Sequence, residues 1–177
     1  EPADQVLIEE KLGHLSGDIN DNLKLIRDSI PVFKELTEPQ FRELITESTV
    51  HLKKEGDLVF RVKDYTDTFF NIVSGSVKIN LPGDRFVEIE SGNFFGEMGL
   101  LSGRRRSATI VMGQPGILLE TPRKQVLKLI SSVPSVKRAL DEVFMERAFY
   151  DIFPNVNRDL LKKVITKSGL KHFKKND

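Results

Sequence analysis

Ser91-Gly92-Asn93-Phe94-Phe95-Gly96-Glu97-Met98-Gly99-Leu100-Leu101-Ser102-Gly103-Arg104-Arg105-Arg106-Ser107-Ala108-Thr109-Ile110 gathers three features that suit a bound phosphate. Gly92, Gly96, Gly99 and Gly103 let backbone N–H groups approach an anion with no Cβ in the way. Residues 97–101 read as one short helical turn, whose free N–H groups point at whatever lies beside Gly96. Arg106 follows at the start of an apolar strand carrying Ala108 and Ile110, within reach to fold back and neutralise that charge. An acid beside an anion site makes little sense for bare phosphate. Glu97 fits if the ligand also carries a hydroxyl, which a carboxylate accepts well. Phosphate plus a sugar hydroxyl describes a nucleotide.

Phe95-Gly96-Glu97-Met98-Gly99-Leu100-Leu101, followed by Arg106-Ser107-Ala108-Thr109, resembles the phosphate-binding cassette of the cyclic nucleotide-binding domain family, with that family's spacing from Glu97 to Arg106. Each fixed position recurs by chance about one time in ten to twenty, so a coincidental match over about seven positions is negligible. The resemblance implies an α+β fold: an antiparallel β-roll or jelly-roll barrel, flanked by N-terminal helices and C-terminal lid helices. It implies a cyclic nucleotide ligand, cAMP first and cGMP second, and no further cofactor or metal. Glu97 then takes the ribose 2′-hydroxyl and Arg106 an exocyclic phosphate oxygen. Backbone N–H groups near Gly96, Met98, Gly99 and Ala108 complete the cradle. The expected ligand-binding set is Phe95, Gly96, Glu97, Met98, Gly99, Leu100, Arg106, Ser107 and Ala108. Ser107 hydrogen-bonds the phosphate or the base, and a serine there does not separate adenine from guanine. Charge agrees, since a cyclic phosphodiester carries one negative charge and one buried arginine balances it.

The composition of the 177 residues fits a sensor of this kind. It is 39% hydrophobic and 30% charged with a formal net charge of +1, which suits one sizeable core and argues against a dedicated nucleic-acid surface. The absence of cysteine excludes a disulfide framework and any thiolate zinc site. No apolar run approaches 18 residues and no signal peptide opens the chain, so a cytoplasmic protein without a membrane segment is expected. His14, His51 and His172 fall in three different elements, which predicts no metal centre. No Ser/His/Asp or Cys/His constellation stands out, so the chain reads as a non-enzyme.

In chain order, residues 1–28 are helix-like, first with a partial stripe of Val6, Leu7, Leu12 and Leu15, then with Leu23, Ile26 and Ile30 on one face of a second helix. Thr37 is a good N-cap with Pro39 in the first turn, and the helix it opens, Glu38 to Ser48, buries Phe41, Leu44 and Ile45. From Val50 to Ile117 the period shortens. Phe69-Asn71-Val73 and Val77-Ile79-Leu81 alternate around a turn at Gly75, which predicts antiparallel strands. After Pro122 the helical period returns, with Val126, Leu127, Leu129 and Ile130 on one face. A second helix then runs from about Ser135 to Tyr150. Phe144, Arg147 and Tyr150 on it are candidates to cap the base, although such aromatics more often pack in a core.

Placing residues 147–177 over 27–57 aligns Arg27/Arg147, Phe33/Phe153, Ile45/Ile165, Thr46/Thr166, Ser48/Ser168, Lys54/Lys174 and Asp57/Asp177. These are seven identities in 31 pairs, where about two are expected from unrelated sequence. This predicts an internal repeat. The expected organisation is a helical arm or linker over 1–29, a cyclic nucleotide-binding domain over 30–150, and over 151–177 the start of a second, truncated domain of the same type. The expected partners are a cyclic nucleotide, that second domain in the parent chain, and an effector protein or kinase domain, as in regulatory subunits of cyclic-nucleotide-dependent kinases, which the arrangement resembles. No nucleic acid or membrane contact is expected of this segment. Two alternatives use the same fold: the sensing half of a DNA-binding transcription regulator, which would need a helix-turn-helix after the long helix, and a ligand-free scaffold. Arg104 and Arg105 have no place in the motif and are expected on an exposed loop. Arg104-Arg105-Arg106-Ser107 also resembles a basophilic kinase site; a buried Arg106 should make Ser107 poorly accessible, which discounts it.

Overall fold

Thr37 opens the helix that carries the barrel. In the computed structural model its hydroxyl accepts from Gln40 N–H, while the Gln40 side chain accepts from Thr37 N–H, a reciprocal capping box that fixes where the helix begins. The structure describes residues 2–81, 83–97, 105–152, 155 and 157–168. Three α-helices come first, α1 (Pro2–Leu12), α2 (Ile19–Ser29) and α3 (Glu38–Glu47), with a 3-10 turn at Pro31–Glu35. Eight strands follow: β1 (Thr49–Lys53), β2 (Leu58–Phe60), β3 (Thr68–Ile72), β4 (Ser76–Leu81), β5 (Arg85–Glu90), β6 (Phe94–Phe95), β7 (Thr109–Gln114) and β8 (Gly116–Pro122). Helices α4 (Arg123–Ser132), α5 (Pro134–Ile152) and α6 (Arg158–Lys167) complete the described residues. The chain divides into two compact units, residues 1–128 and 129–177.

In the first unit two antiparallel sheets, ordered β1-β8-β3-β6 and β2-β7-β4-β5, form the expected β-roll. Their inner faces meet in one core of Phe60, Phe70, Ile72, Val77, Phe95, Ile110, Met112 and Leu118. Phe70 and Phe95 stack with centroids 5.0 Å apart and rings 3° from parallel, which ties the cassette's leading strand to the barrel floor. Strand β3 departs from simple alternation. Phe69, Phe70, Asn71 and Ile72 are all buried; elsewhere on the same sheet α3 packs on β8 and α1 on β1. Lys11 Nζ donates to Ser48 O at 2.5 Å, and the buried Ser48 and Thr121 hydroxyls share a hydrogen bond at 3.0 Å. The β3–β4 turn needs Gly75, at φ +79°, where a Cβ would lie 2.6 Å from Pro115 O.

The α2 and α3 faces are those expected, with Leu23, Ile26, Ile30, Phe41, Leu44 and Ile45 all buried. The α1 face is not. Ile8, Leu12 and Leu15 are buried, whereas Val6 and Leu7 are exposed, because a spacing of four puts Ile8 in line with Leu12 on the helix, and Leu15 lies in the bend that follows it. Of the expected face of α4, Val126 and Leu129 are buried, Ile130 is half-buried and Leu127 is exposed.

In the second unit α5 and α6 pack through Met145, Leu161 and Ile165, with Phe149 against them. Helix α6 sits 120 residues after α3 at both ends. Asn157 caps its N-terminus as Thr37 caps α3, and the Ser168 N–H returns to Ile165 O as the Ser48 N–H returns to Ile45 O. Phe153 and residues 169–177 of the proposed repeat lie outside the described residues.

Candidate functional site

Arg106 is fixed first through its backbone. Its N–H donates to Asp64 O at 2.9 Å and its carbonyl accepts from Lys63 N–H at 2.8 Å, zipping the segment before β7 to the β2–β3 loop. Thr109 Oγ1 accepts from Val62 N–H and continues the seam. From that anchor the side chain runs inward and is 5% exposed. Its Nε donates to Thr66 Oγ1 at 2.7 Å, Nη1 to Gly96 O at 3.3 Å, and Nη2 to Thr68 O at 2.7 Å and Thr68 Oγ1 at 3.2 Å. The guanidinium carbon lies 4.2 Å from the Phe60 ring centroid and 5.8 Å from that of Phe70.

Gly96 meets the arginine at the top of β6. Its φ is +87°, and a Cβ there would fall 2.8 Å from Arg106 Nη1 and 3.2 Å from Thr68 O. Glycine therefore serves both the backbone conformation and the close approach of the guanidinium. Glu97, the next residue, is helical and 5% exposed. Cation and carboxylate are thus both withdrawn from water within one short segment.

Burial pushes the Arg106 guanidinium below its ordinary value, and the carboxylates of Glu120, Asp67, Glu97 and Asp64 push back. The group stays cationic, as a guanidinium does in proteins. Glu120 on β8 is held below the ordinary glutamate value. Its hydrogen bond from His51 leads, burial opposes, and Thr68 and the charges of His51 and Arg106 add to the lowering.

The structure brings Gly96 and Arg106 into contact, with the buried Glu97 next in sequence; Ala108 is half-buried two residues beyond Arg106. Phe95 precedes Gly96, but its ring is buried in the core against Phe60 and Phe70. Ser107 is exposed, so a buried Arg106 does not carry its neighbour inward, and the premise used to discount modification at Ser107 fails. Met98, Gly99, Leu100, Gly103 and Arg104 lie outside the described residues. Arg105 is exposed, as expected. Of the base-cap candidates, Phe144 and Arg147 are half-buried and the Tyr150 side chain is not described. Sequence reasoning missed Thr66, Thr68, Glu120 and His51. Among the described residues no group of His, Asp and Glu is arranged to hold a metal ion, and no helix is long and apolar enough to cross a membrane.

Residues 50–133 match the cyclic nucleotide-binding domain family, and this part of the chain belongs to it. A cyclic nucleotide-gated potassium channel of Rhizobium etli is 32% identical over 119 residues, covering 67% of this chain and 33% of the channel. A cGMP-dependent protein kinase of Plasmodium berghei is 26% identical over 144 residues, covering 81% of this chain and 15% of the kinase. The chain thus spans a third or less of the length of these relatives. The crystal structure of a cyclic nucleotide-binding domain from Methylobacillus flagellatus superposes with a TM-score of 0.59 at 18% identity, covering 80% of this chain and 88% of that one, which speaks to the fold.

Proposed function

We propose that this domain binds a 3′,5′-cyclic nucleotide, cAMP first, and passes its presence on by repositioning the helices that follow the roll. The observation that carries the reading is the buried Arg106 guanidinium held against Gly96 O, with the buried Glu97 carboxylate next in sequence. A phosphodiester oxygen meets the guanidinium, and the ribose 2′-hydroxyl donates to Glu97. Backbone N–H groups around Gly96, Met98, Gly99 and Ala108 complete the cradle. The domain senses and does no chemistry on its ligand. Similarity to a gated channel and to a kinase supports a regulatory segment of a longer chain, with a kinase or another effector as its output. The match of α6 to α3, cap for cap, supports a second domain of the same type beginning near residue 151.

Calorimetric titration of the chain with cAMP and with cGMP, alongside Arg106→Ala, tests this reading. Binding at micromolar or tighter dissociation constants, lost in the variant, is the expected result. Removing one partner of a buried charge pair costs about 3–5 kcal/mol, which takes such affinity out of range. No binding of either nucleotide by folded, ligand-stripped protein overturns the reading in favour of a scaffold.

A further inference from the structure

Thr68 stands between the arginine and a carboxylate that the cassette does not contain. Its hydroxyl donates to Glu120 Oε1 at 2.7 Å and accepts from Arg106 Nη2 at 3.2 Å, and Glu120 Oε2 is held by His51 Nε2 at 2.6 Å. The four residues come from β1, β3, β8 and the segment before β7. Register places Thr68, Glu120 and His51 on one side of the sheet, with Thr68 two residues from Phe70, Glu120 opposite Phe70 and His51 opposite Leu118. A hydroxyl has one proton and two lone pairs, and an ionised carboxylate only accepts. The Thr68 proton is therefore committed to Glu120, and its lone pairs are left facing the guanidinium. Without Glu120 the hydroxyl is free to turn its proton toward the cation.

Resting on the reading given above, we propose that Glu120 and Thr68 are positioning residues for phosphate recognition: the carboxylate, anchored by His51, orients the Thr68 hydroxyl so that Arg106 is held in the pose that meets the ligand. Arg106 then enters binding pre-organised, and side-chain entropy lost in folding is not lost again on association. A positioning chain of this kind acts as a unit, so breaking it at two places costs no more than breaking it at one.

The test uses the 177-residue chain and two readouts. One is the hydrogen-exchange rate of the Arg106 Nε–H, assigned by its disappearance in Arg106→Lys; the other is the dissociation constant for cAMP and cGMP. In Glu120→Ala and in Thr68→Val the exchange should quicken and the affinity fall, each by about tenfold, the scale of one hydrogen bond to a charged group. The double variant should match the worse single one, and Thr68→Ser should restore both readouts. The proposal is overturned if the folded single variants keep wild-type exchange and affinity, if their effects add, or if serine does not rescue. Should the unmodified chain bind neither nucleotide, the ligand reading itself falls. The exchange readout then decides by itself whether Glu120 and Thr68 hold the guanidinium.

Discussion

At residue scale, Gly96 is the tightest point of the site. Replacing it by alanine puts a methyl 2.8 Å from Arg106 Nη1 and asks an L-residue to hold φ +87°. The backbone strain alone is about 1–3 kcal/mol, and the guanidinium must leave Gly96 O to make room. Gly96→Ala is therefore expected to lower the urea midpoint and, separately, to weaken nucleotide binding measured on protein that is still folded. A variant as stable as the wild type would show that Arg106 does not sit against Gly96. Glu120 makes a prediction with a sign. Its native pKa is lowered from 4.5, so its ionised form favours the folded chain. That contribution is whole at neutral pH and is lost as pH falls through the native value. Unfolding free energies of the wild type and Glu120→Gln, measured from pH 7 to about pH 3, should converge toward acid, with the wild-type curve the steeper. Parallel curves would mean that Glu120 has no favourable native partners. The two residues also differ in legibility. Gly96 and Arg106 could be read from the chain because the cassette is a short run of glycines with an arginine at fixed spacing. Thr68, Glu120 and His51 converge from strands far apart in sequence, and their one visible trace is a polar residue in phase with the inward apolar positions of β3 and β8.

At the scale of elements, turns and caps were legible and faces less so. Thr37 marked α3 and Gly75 marked the β3–β4 turn because each answers a local backbone need. The α1 stripe was misread because Val6, Leu7 and Ile8 are all apolar, and only tertiary packing selects Ile8. The doubly buried β3 escaped the alternation rule too, since burial of its second face is set by tertiary packing and leaves no period in the strand itself. Helix α6 offers a test of the proposed repeat. Its Val164 is the counterpart of Leu44 on α3; Leu44 is 1% exposed and Val164 44%. If α6 opens a second domain, that domain should bury Val164 as Leu44 is buried in the first unit. Val164→Asp should then change the stability of this chain by no more than about 0.5 kcal/mol. In a longer parent chain carrying that roll it should cost about 3 kcal/mol or more, the scale for burying an unpaired charge. Equal effects in both chains, read by denaturant unfolding, would remove the repeat.

For the whole molecule the proposed function requires that occupancy of the cassette change the state of the helices of the second unit. A ligand moves a two-state equilibrium only by its difference in affinity for the two states, so strong binding by itself transmits nothing. Among the described residues of the helical unit, α5 and α6 share a small core of Met145, Leu161 and Ile165, fewer apolar side chains than meet in the roll. Segments with few buried contacts open at low free-energy cost, and there a modest coupling becomes visible. Saturating cAMP is therefore expected to change amide exchange across residues 134–152 by about tenfold, which corresponds to about 1.4 kcal/mol of coupling. Exchange in the roll's central strands should change little, because core strands as a rule open only with global unfolding. Coupling is reciprocal, so Met145→Ala, which loosens the α5–α6 core, should alter cAMP affinity. Tight binding that leaves exchange in residues 134–152 unchanged, with Met145→Ala at wild-type affinity, would make the domain a binder without a lever.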